Sequence, residues 1–275
     1  MILGLWLNII FLCIIRIESG KVGMYMEKLY HIGLDSSHGA KYAILPGDPG
    51  RVEKIAAYLD KPEYITSNRE YTSWIGELEG EKVLVMSTGM GGPSTAIGVE
   101  ELVMTGVGTF IRVGTCGGMN KEVIGGDIVI ANGAIRAEGT AREYVPIEFP
   151  AISDFEVTSS LVTASKNAGQ RFHTGVVHCK DSFYGQHDPS RMPTSYMLNN
   201  QWDAWIKAGC LASEMESATL FAVSSVLGVR AGCVLSVIWN QEREKLGLSN
   251  PHNHSSDAAI EIAVEAIRLL IKDKY

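Results

Sequence analysis

The chain is short of positive charge: 24 lysines and arginines stand against 31 aspartates and glutamates, a formal net charge of −7 at pH 7. A nucleic-acid partner would want a basic face, and this balance argues against one. It leaves room for a small anionic ligand, because a few local arginines make a positive pocket in an acidic protein. Cysteine is scarce as well. Cys13, Cys116, Cys179, Cys210 and Cys233 are an odd number, scattered, with no Cys-x-x-Cys. That pattern argues against a disulfide framework or a zinc site and fits free thiols in a reducing, cytoplasmic compartment. Gly-Lys-Ser/Thr is missing, so no phosphate-binding loop of the nucleotide-hydrolase kind is expected. Internal repeats, low-complexity tracts and linkers are missing too.

The start of the chain differs from the rest. MILGLWLNIIFLCII is nearly continuous apolar sequence, about the length of a signal-peptide core and short for a membrane span of roughly 20 residues. It lacks a basic n-region, and IRIESGKVG offers a poor cleavage site. Translation from Met24 or Met26 is expected, which makes residues 1–23 a non-native or signal-like extension and 24–275 the domain. No membrane partner is expected.

Of the whole chain, 46% is hydrophobic and 20% charged, enough to bury a full core. From Lys41 onward, strand-like and helix-like stretches alternate. Tyr42-Ala-Ile-Leu, Lys82-Val-Leu-Val-Met, Gly108 to Val113, Asp127-Ile-Val-Ile-Ala, Thr174 to His178 and Ala231 to Ile238 read as strands. Helical spacing marks Arg51 to Leu59, Ser94 to Met104 behind Pro93, Val157 to Ala168, Gln201 to Lys207 and Asp257 to Lys272. The pattern predicts one α/β domain of three layers, α/β/α, around a mixed, largely parallel central sheet. Sites in such folds lie beyond the C-terminal ends of the strands, where the glycine clusters of this chain fall.

Four strand-end segments carry residue types that packing does not require. Pro46-Gly-Asp-Pro-Gly-Arg51 is either an ordinary turn or an anion site made by the Gly47 amide with Arg51 behind it. Ser87-Thr-Gly-Met-Gly-Gly-Pro-Ser-Thr resembles a dinucleotide fingerprint only superficially. Ser94 stands where a third glycine or alanine belongs, and no acidic residue follows about 20 positions on. It reads as a tight strand-to-helix turn lining a pocket. Arg112, near the end of an apolar strand, either pairs with a buried carboxylate or binds phosphate bidentately with Thr115 beside it. Ser213-Glu-Met-Glu-Ser217 precedes a buried-looking helix, so its carboxylates face something polar at a strand-helix junction. Vicinal ribose hydroxyls would suit them; a paired-carboxylate glycoside hydrolase is the rival chemistry, but it would not need the arginines.

Together with Asn68-Arg-Glu-Tyr-Thr and Asp181-Ser-Phe-Tyr-Gly-Gln, these ordered segments resemble the nucleoside phosphorylases of the hexameric type, from His31 to the C-terminus, and among them the uridine-cleaving members. The resemblance implies that inorganic phosphate, the co-substrate, is held by Gly47, Arg51, Arg112 and Thr115, with Arg69 reaching in from a neighbouring subunit. It implies ribose contacts from Met215 and Glu216, and from His31 across the same interface. The base would meet Phe183, Gln186 and Ile238, with Arg112, Gln186 and Glu216 as the catalytic set. No cofactor is implied. A structural potassium ion would fall on Glu70, the Met90 backbone and Ser94, and the partner would be the chain itself, as a homo-oligomer, a trimer of dimers. The pattern is broken at one place. An arginine expected two positions after Gln186 is replaced by Asp188, and Arg191 is the candidate to reach uracil O4 instead. Purine-specific relatives carry an aspartate where Ile238 and Trp239 stand, so a pyrimidine is expected. The alternatives are a purine nucleoside phosphorylase and a catalytically silent nucleoside binder of the same fold. Pro251-His-Asn-His254 reads as a solvated loop and Cys116 as a packing residue.

Overall fold

The computed structural model describes residues 28–273, together with the backbone of 14–18 and 21–25. Ile14–Glu18 (β1) and Lys21–Tyr25 (β2) pair antiparallel as a hairpin of their own, so the boundary expected after residue 23 falls inside β2. The greater part of the expected 1–23 extension lies outside the described residues.

The main sheet is built from Tyr42–Pro46 (β3), Asp60–Asn68 (β4), Tyr71–Leu78 (β5), Glu81–Met86 (β6), Thr109–Gly118 (β7) and Ile128–Ala137 (β8). Ala151–Ile152 (β9), Phe172–Lys180 (β10), Ala212–Glu214 (β11) and Arg230–Asn240 (β12) complete it. Its order is β11-β10-β8-β12-β7-β3-β6-β5-β4, with β9 on the flank of β8. Parallel pairs join β10 to β11 and β8, β7 to β12 and β3, and β3 to β6, while β4, β5 and β6 form an antiparallel meander. The mixed α/β sheet expected from the sequence is borne out. Beyond that expectation, β11 also pairs antiparallel with β7, Ala212 opposite Gly118 and Ser213 opposite Gly117. Strands β11, β10, β8, β12 and β7 therefore close into a ring, and their ends meet at one mouth.

Helices cover both faces. They are Val52–Ala56 (α1), Gly92–Met104 (α2), Thr140–Tyr144 (α3), Phe155–Asn167 (α4), Phe183–His187 (α5), Ser195–Lys207 (α6), Ser217–Leu227 (α7), Gln241–Lys245 (α8) and Asp257–Lys272 (α9). The period-two alternation of β7 sorts its side chains between two cores. Phe110 joins Val99 and Leu102 of α2 and Leu220 and Phe221 of α7, whereas Ile111 and Val113 join Val157 of α4 and Ile260, Ala263 and Ile267 of α9. Helix α9 follows its apolar stripe over the predicted span. Helix α7 is buried along Ser217 to Ser224, as an apolar helix at a sheet face must be. The helix expected over Arg51 to Leu59 is confined to α1, because Leu59 turns to pack on Gly76 of β5 and the chain enters β4 at Asp60.

Close contact between α4 and the sheet depends on Gly232 in β12. A Cβ there would lie 2.5 Å from Val157 Cγ1 and 3.2 Å from Leu161 Cδ1, both fully buried. Gly232→Ala is expected to lower the unfolding free energy by about 1–3 kcal/mol through overpacking, read as a lower urea midpoint; an unchanged midpoint would show that α4 moves away at no cost.

Candidate active site

At the mouth of the ring lies a cavity of about 740 Å³, within the size range of small-molecule sites. Gly47, Arg51, Arg112 and Thr115 line one end, Met215 and Glu216 lie on its wall, and Phe183, Gln186 and Ile238 line the other end. Those residues come from the turn after β3, from β7, α5, the β11–α7 junction and β12. A groove of about 650 Å³ at the opposite ends of the strands lacks such convergence. Its charges satisfy one another, Lys41 on Glu81 and Arg230 on Glu156.

The centre of the cavity is an ion cluster. Arg112 Nε donates to Glu214 Oε2 at 3.2 Å, and its Nη2 donates to Glu216 Oε2. All three side chains are buried. Of the two readings left open for Arg112, the carboxylate partner is what the structure contains. The remaining Nη1 is turned toward the Gly47 turn, 3.9 Å from where a Cβ at residue 47 would sit. That same Cβ would be 3.0 Å from the Gly89 carbonyl oxygen, so a side chain at 47 would crowd this end of the cavity.

Glu214 ends β11 and Glu216 directly precedes α7, which puts both at a helix N-terminus whose N–H groups need acceptors. The Glu214 carboxylate accepts the backbone N–H of Glu216 at 2.9 Å and of Ser217 at 3.0 Å. Glu216 Oε1 accepts the Gly91 N–H at 2.6 Å, which fastens the glycine turn before α2; Gly91 takes φ +95°, open to glycine at little cost. The two carboxyls are driven apart in acidity. Burial raises both, but Arg112, Ser217 and the helix N–H groups outweigh it at Glu214 and hold that carboxyl below its usual range. At Glu216 burial prevails over Arg112, with Glu214 adding to it, and the pKa is raised. Arg112, despite its burial, is held more firmly protonated by Glu216 and Glu214. Arg51 is lowered by burial, against the pull of Asp48, with Arg112 adding to the lowering. Two guanidinium groups thus oppose each other at one end of the cavity, and a bound anion would relieve both.

At the other end, Gln186 Nε2 donates to Gln241 Oε1 at 3.1 Å, and Ser213 Oγ donates to Gln186 Oε1 at 2.6 Å. The Phe183 ring stands half exposed at the rim with its centroid 4.2 Å from that of His187, and His187, Trp239 and His252 stack in sequence. Sequence reasoning passed over Lys180 and His187 as cavity residues, while Trp239, expected beside Ile238 at the base, does line it. It read His254 as solvated, and His254 lines the cavity. Cys116 lies in the cavity wall, and burial pushes its thiol up, so it stays protonated and unreactive.

Five expected site residues lie apart from the cavity. His31 is anchored to Glu101 of α2, its Nδ1 2.5 Å from Oε1. Arg69 lies over the Tyr30 ring, and Asn68 Nδ2 donates to the His31 carbonyl at 2.7 Å, so His31 and Arg69 form one cluster of their own. Arg191 does not line the cavity; its Nε pairs with Asp188 Oδ2 at 2.7 Å and its guanidinium lies over Tyr184. Glu70 and Ser94 flank Gly89, the Glu70 Cγ 2.9 Å and Ser94 Oγ 3.4 Å from where a Cβ at 89 would sit, while Met90 is exposed at the cavity rim. Among the described residues no group of three or more His, Cys, Asp or Glu side chains is arranged to hold a metal ion.

The sequence pattern of the Phosphorylase superfamily matches residues 41–272. A uridine phosphorylase of Treponema pallidum (strain Nichols) is 54% identical over 242 residues, 88% of this chain and 94% of its own length. The uridine phosphorylase of Escherichia coli (strain K12) is 41% identical over 253 residues, 90% of this chain and all of its own. A guanosine phosphorylase of Halorubrum lacusprofundi is 39% identical over 215 residues, 78% and 85% of the two chains.

Because the folded-state pKa of Glu214 lies below its unfolded value, this carboxylate contributes stability above the usual glutamate range, and the contribution is lost as the pH falls through it. Glu214→Gln is therefore expected to cost about 3 kcal/mol at neutral pH, with a gap to wild type that narrows in acid. Urea unfolding at neutral and acidic pH measures it; a gap independent of pH would contradict the assignment.

Proposed function

The chain belongs to the phosphorylase superfamily, and we infer that it carries out the phosphorolysis of uridine, a pentosyl transfer yielding uracil and ribose 1-phosphate. The observation that carries this reading is the polarity of the cavity: Gly47, Arg51, Arg112 and Thr115 at one end, Gln186 at the other, and Glu216 between them. Uridine phosphorylases 54% and 41% identical over most of the chain support it.

In this reading inorganic phosphate lies at the arginine end, bound by the Gly47 amide, the Thr115 hydroxyl and the two guanidinium forks. Ribose lies against Glu216 and Met215, with its hydroxyls donating to the Glu216 carboxylate. The C1′–N1 bond breaks with its electron pair left on the pyrimidine, and a phosphate oxygen closes on the oxocarbenium-like C1′. Positioning supplies much of the rate, and the phosphate stabilises the developing cation. Gln186 stabilises the uracil anion at its amide edge, Phe183 and Ile238 pack on the ring, and no general acid is required. No cofactor enters the reaction.

His31 and Arg69 fit the same reading as residues donated by a second copy of the chain. They lie together and outside the cavity of their own subunit. This supports a homo-oligomer with shared sites, assembled as a trimer of dimers. Glu70, Ser94 and the Met90 backbone supply oxygen donors to one side of a potassium site, which a second copy would complete; the ion would be structural. Among the described residues, four buried free thiols fit a cytoplasmic protein.

A purine substrate is the second reading, favoured by the similarity to a guanosine phosphorylase. Against it, Ile238 and Trp239 line the cavity where a purine N7 would need an acid. Ultraviolet absorbance of uridine and inosine reactions, each with and without phosphate, decides between them. Uracil release from uridine only with phosphate is the expected result. Release without phosphate would mean hydrolysis, and cleavage of inosine alone would mean the purine reading.

A further inference from the structure

One buried carboxylate outside the cavity has no task in the mechanism above. Glu101 lies near the end of α2 with 8% of its surface exposed, and among the described residues its ion-pair partner is the His31 imidazole rather than a lysine or arginine. Its oxygens accept the backbone N–H of His31, at 3.2 and 3.1 Å, and that of Ile32 at 2.9 Å. Oε1 also meets His31 Nδ1 at 2.5 Å. A carboxylate accepts and does not donate, so the hydrogen in this contact sits on Nδ1. In the neutral ring that makes Nε2 the acceptor.

The rest of the residue is fixed as firmly. Asn68 Nδ2 donates to the His31 carbonyl at 2.7 Å, and the Tyr30 ring meets the imidazole edge-on with 4.8 Å between centroids. The side chain still keeps 34% of its surface exposed. With Nδ1 turned onto Glu101, the nitrogen left for another molecule is Nε2. In the reading above, Glu216 and Met215 take the vicinal ribose hydroxyls, which leaves the 5′-hydroxyl, on the far side of the sugar, for a residue from outside the subunit. Helix α2 serves both places: Gly91, just before it, is held by Glu216, and Glu101 lies about 15 Å further along the axis.

We propose that Glu101 is a positioning residue for the ribose bound by a second copy of the chain: by holding the hydrogen on His31 Nδ1 it presents Nε2 as the acceptor for the 5′-hydroxyl. The proposal rests on the uridine reading above, with His31 donated to the neighbouring site. Glu101 touches no substrate, and no covalent bond forms or breaks at it or at His31.

The test is the kcat/KM of uridine and of 5′-deoxyuridine, which lacks that hydroxyl, for wild type, Glu101→Gln, His31→Ala and the double variant. Glutamine can still accept from the two backbone N–H groups where Oε2 stands, but its amide then donates to Nδ1 and moves the ring hydrogen to Nε2. Glu101→Gln is expected to lose roughly tenfold or more on uridine and little on 5′-deoxyuridine, with no further loss when His31 is already alanine. Equal losses on the two nucleosides, a wild-type rate on uridine, or additive losses in the double variant would overturn the proposal and leave Glu101 an internal partner of the backbone. So would a wild type that cleaves both nucleosides equally well, because no group would then use the 5′-hydroxyl. Should Glu101→Gln fail to fold, Glu101→Asp withdraws the carboxylate from Nδ1 by one methylene, and the same unequal loss is expected; an equal loss there overturns it too. A wild type inactive on uridine would instead remove the uridine reading, a separate outcome.

Discussion

The burial of Arg112 between Glu214 and Glu216 is the constraint on which the rest of the cavity depends. Removing two carboxylates and a guanidinium from water costs several kcal/mol per ion, by order of magnitude, unless each finds its partners. Here the partners are architectural. Glu214 accepts from the first N–H groups of α7, Glu216 holds the Gly91 amide at the start of α2, and Arg112 joins them from β7. One cluster thus fixes two helix N-termini against the ring of strands. The arginine shared between two carboxylates still has a third edge, and it faces the Gly47 turn.

A chain with a net charge of −7 thus gathers local positive charge in one cavity. Arg51, Arg112 and Lys180 line it together with Glu214 and Glu216, so charges of both signs face one nucleoside-sized space. His31 and Arg69 both lie outside the cavity, His31 held by Glu101 and Arg69 over Tyr30.

Much of this was legible in the sequence. The apolar runs at Tyr42 to Leu45 and Lys82 to Met86, and the stripe of Asp257 to Lys272, mark buried elements whose spans agree with β3, β6 and α9. The glycine-rich segments end strands, so they placed the arginine end of the cavity. Three features escaped, each for a physical reason. The β4–β5 hairpin is an edge element, and Lys61, Pro62 and Glu63 face solvent and break any alternation. Strand β11 is three residues long, too short to carry a period, and it is what closes the ring. Lys180 ends a strand in His-Cys-Lys-Asp, where a lysine is ordinarily solvated, and here it is buried with its Nζ on Ser213 of β11. Arg191 lies outside the cavity wall, paired with Asp188 three residues earlier.

The most direct test of the Arg112 cluster is calorimetric titration of inorganic phosphate into wild type and Arg112→Lys, with folding checked by circular dichroism. Lysine keeps the charge that Glu214 and Glu216 need but loses the planar fork. If the third edge of Arg112 binds phosphate, the variant should stay folded and bind phosphate about tenfold or more weakly. Unchanged phosphate affinity in a folded Arg112→Lys would contradict that account and leave Arg112 a purely internal partner of the two glutamates.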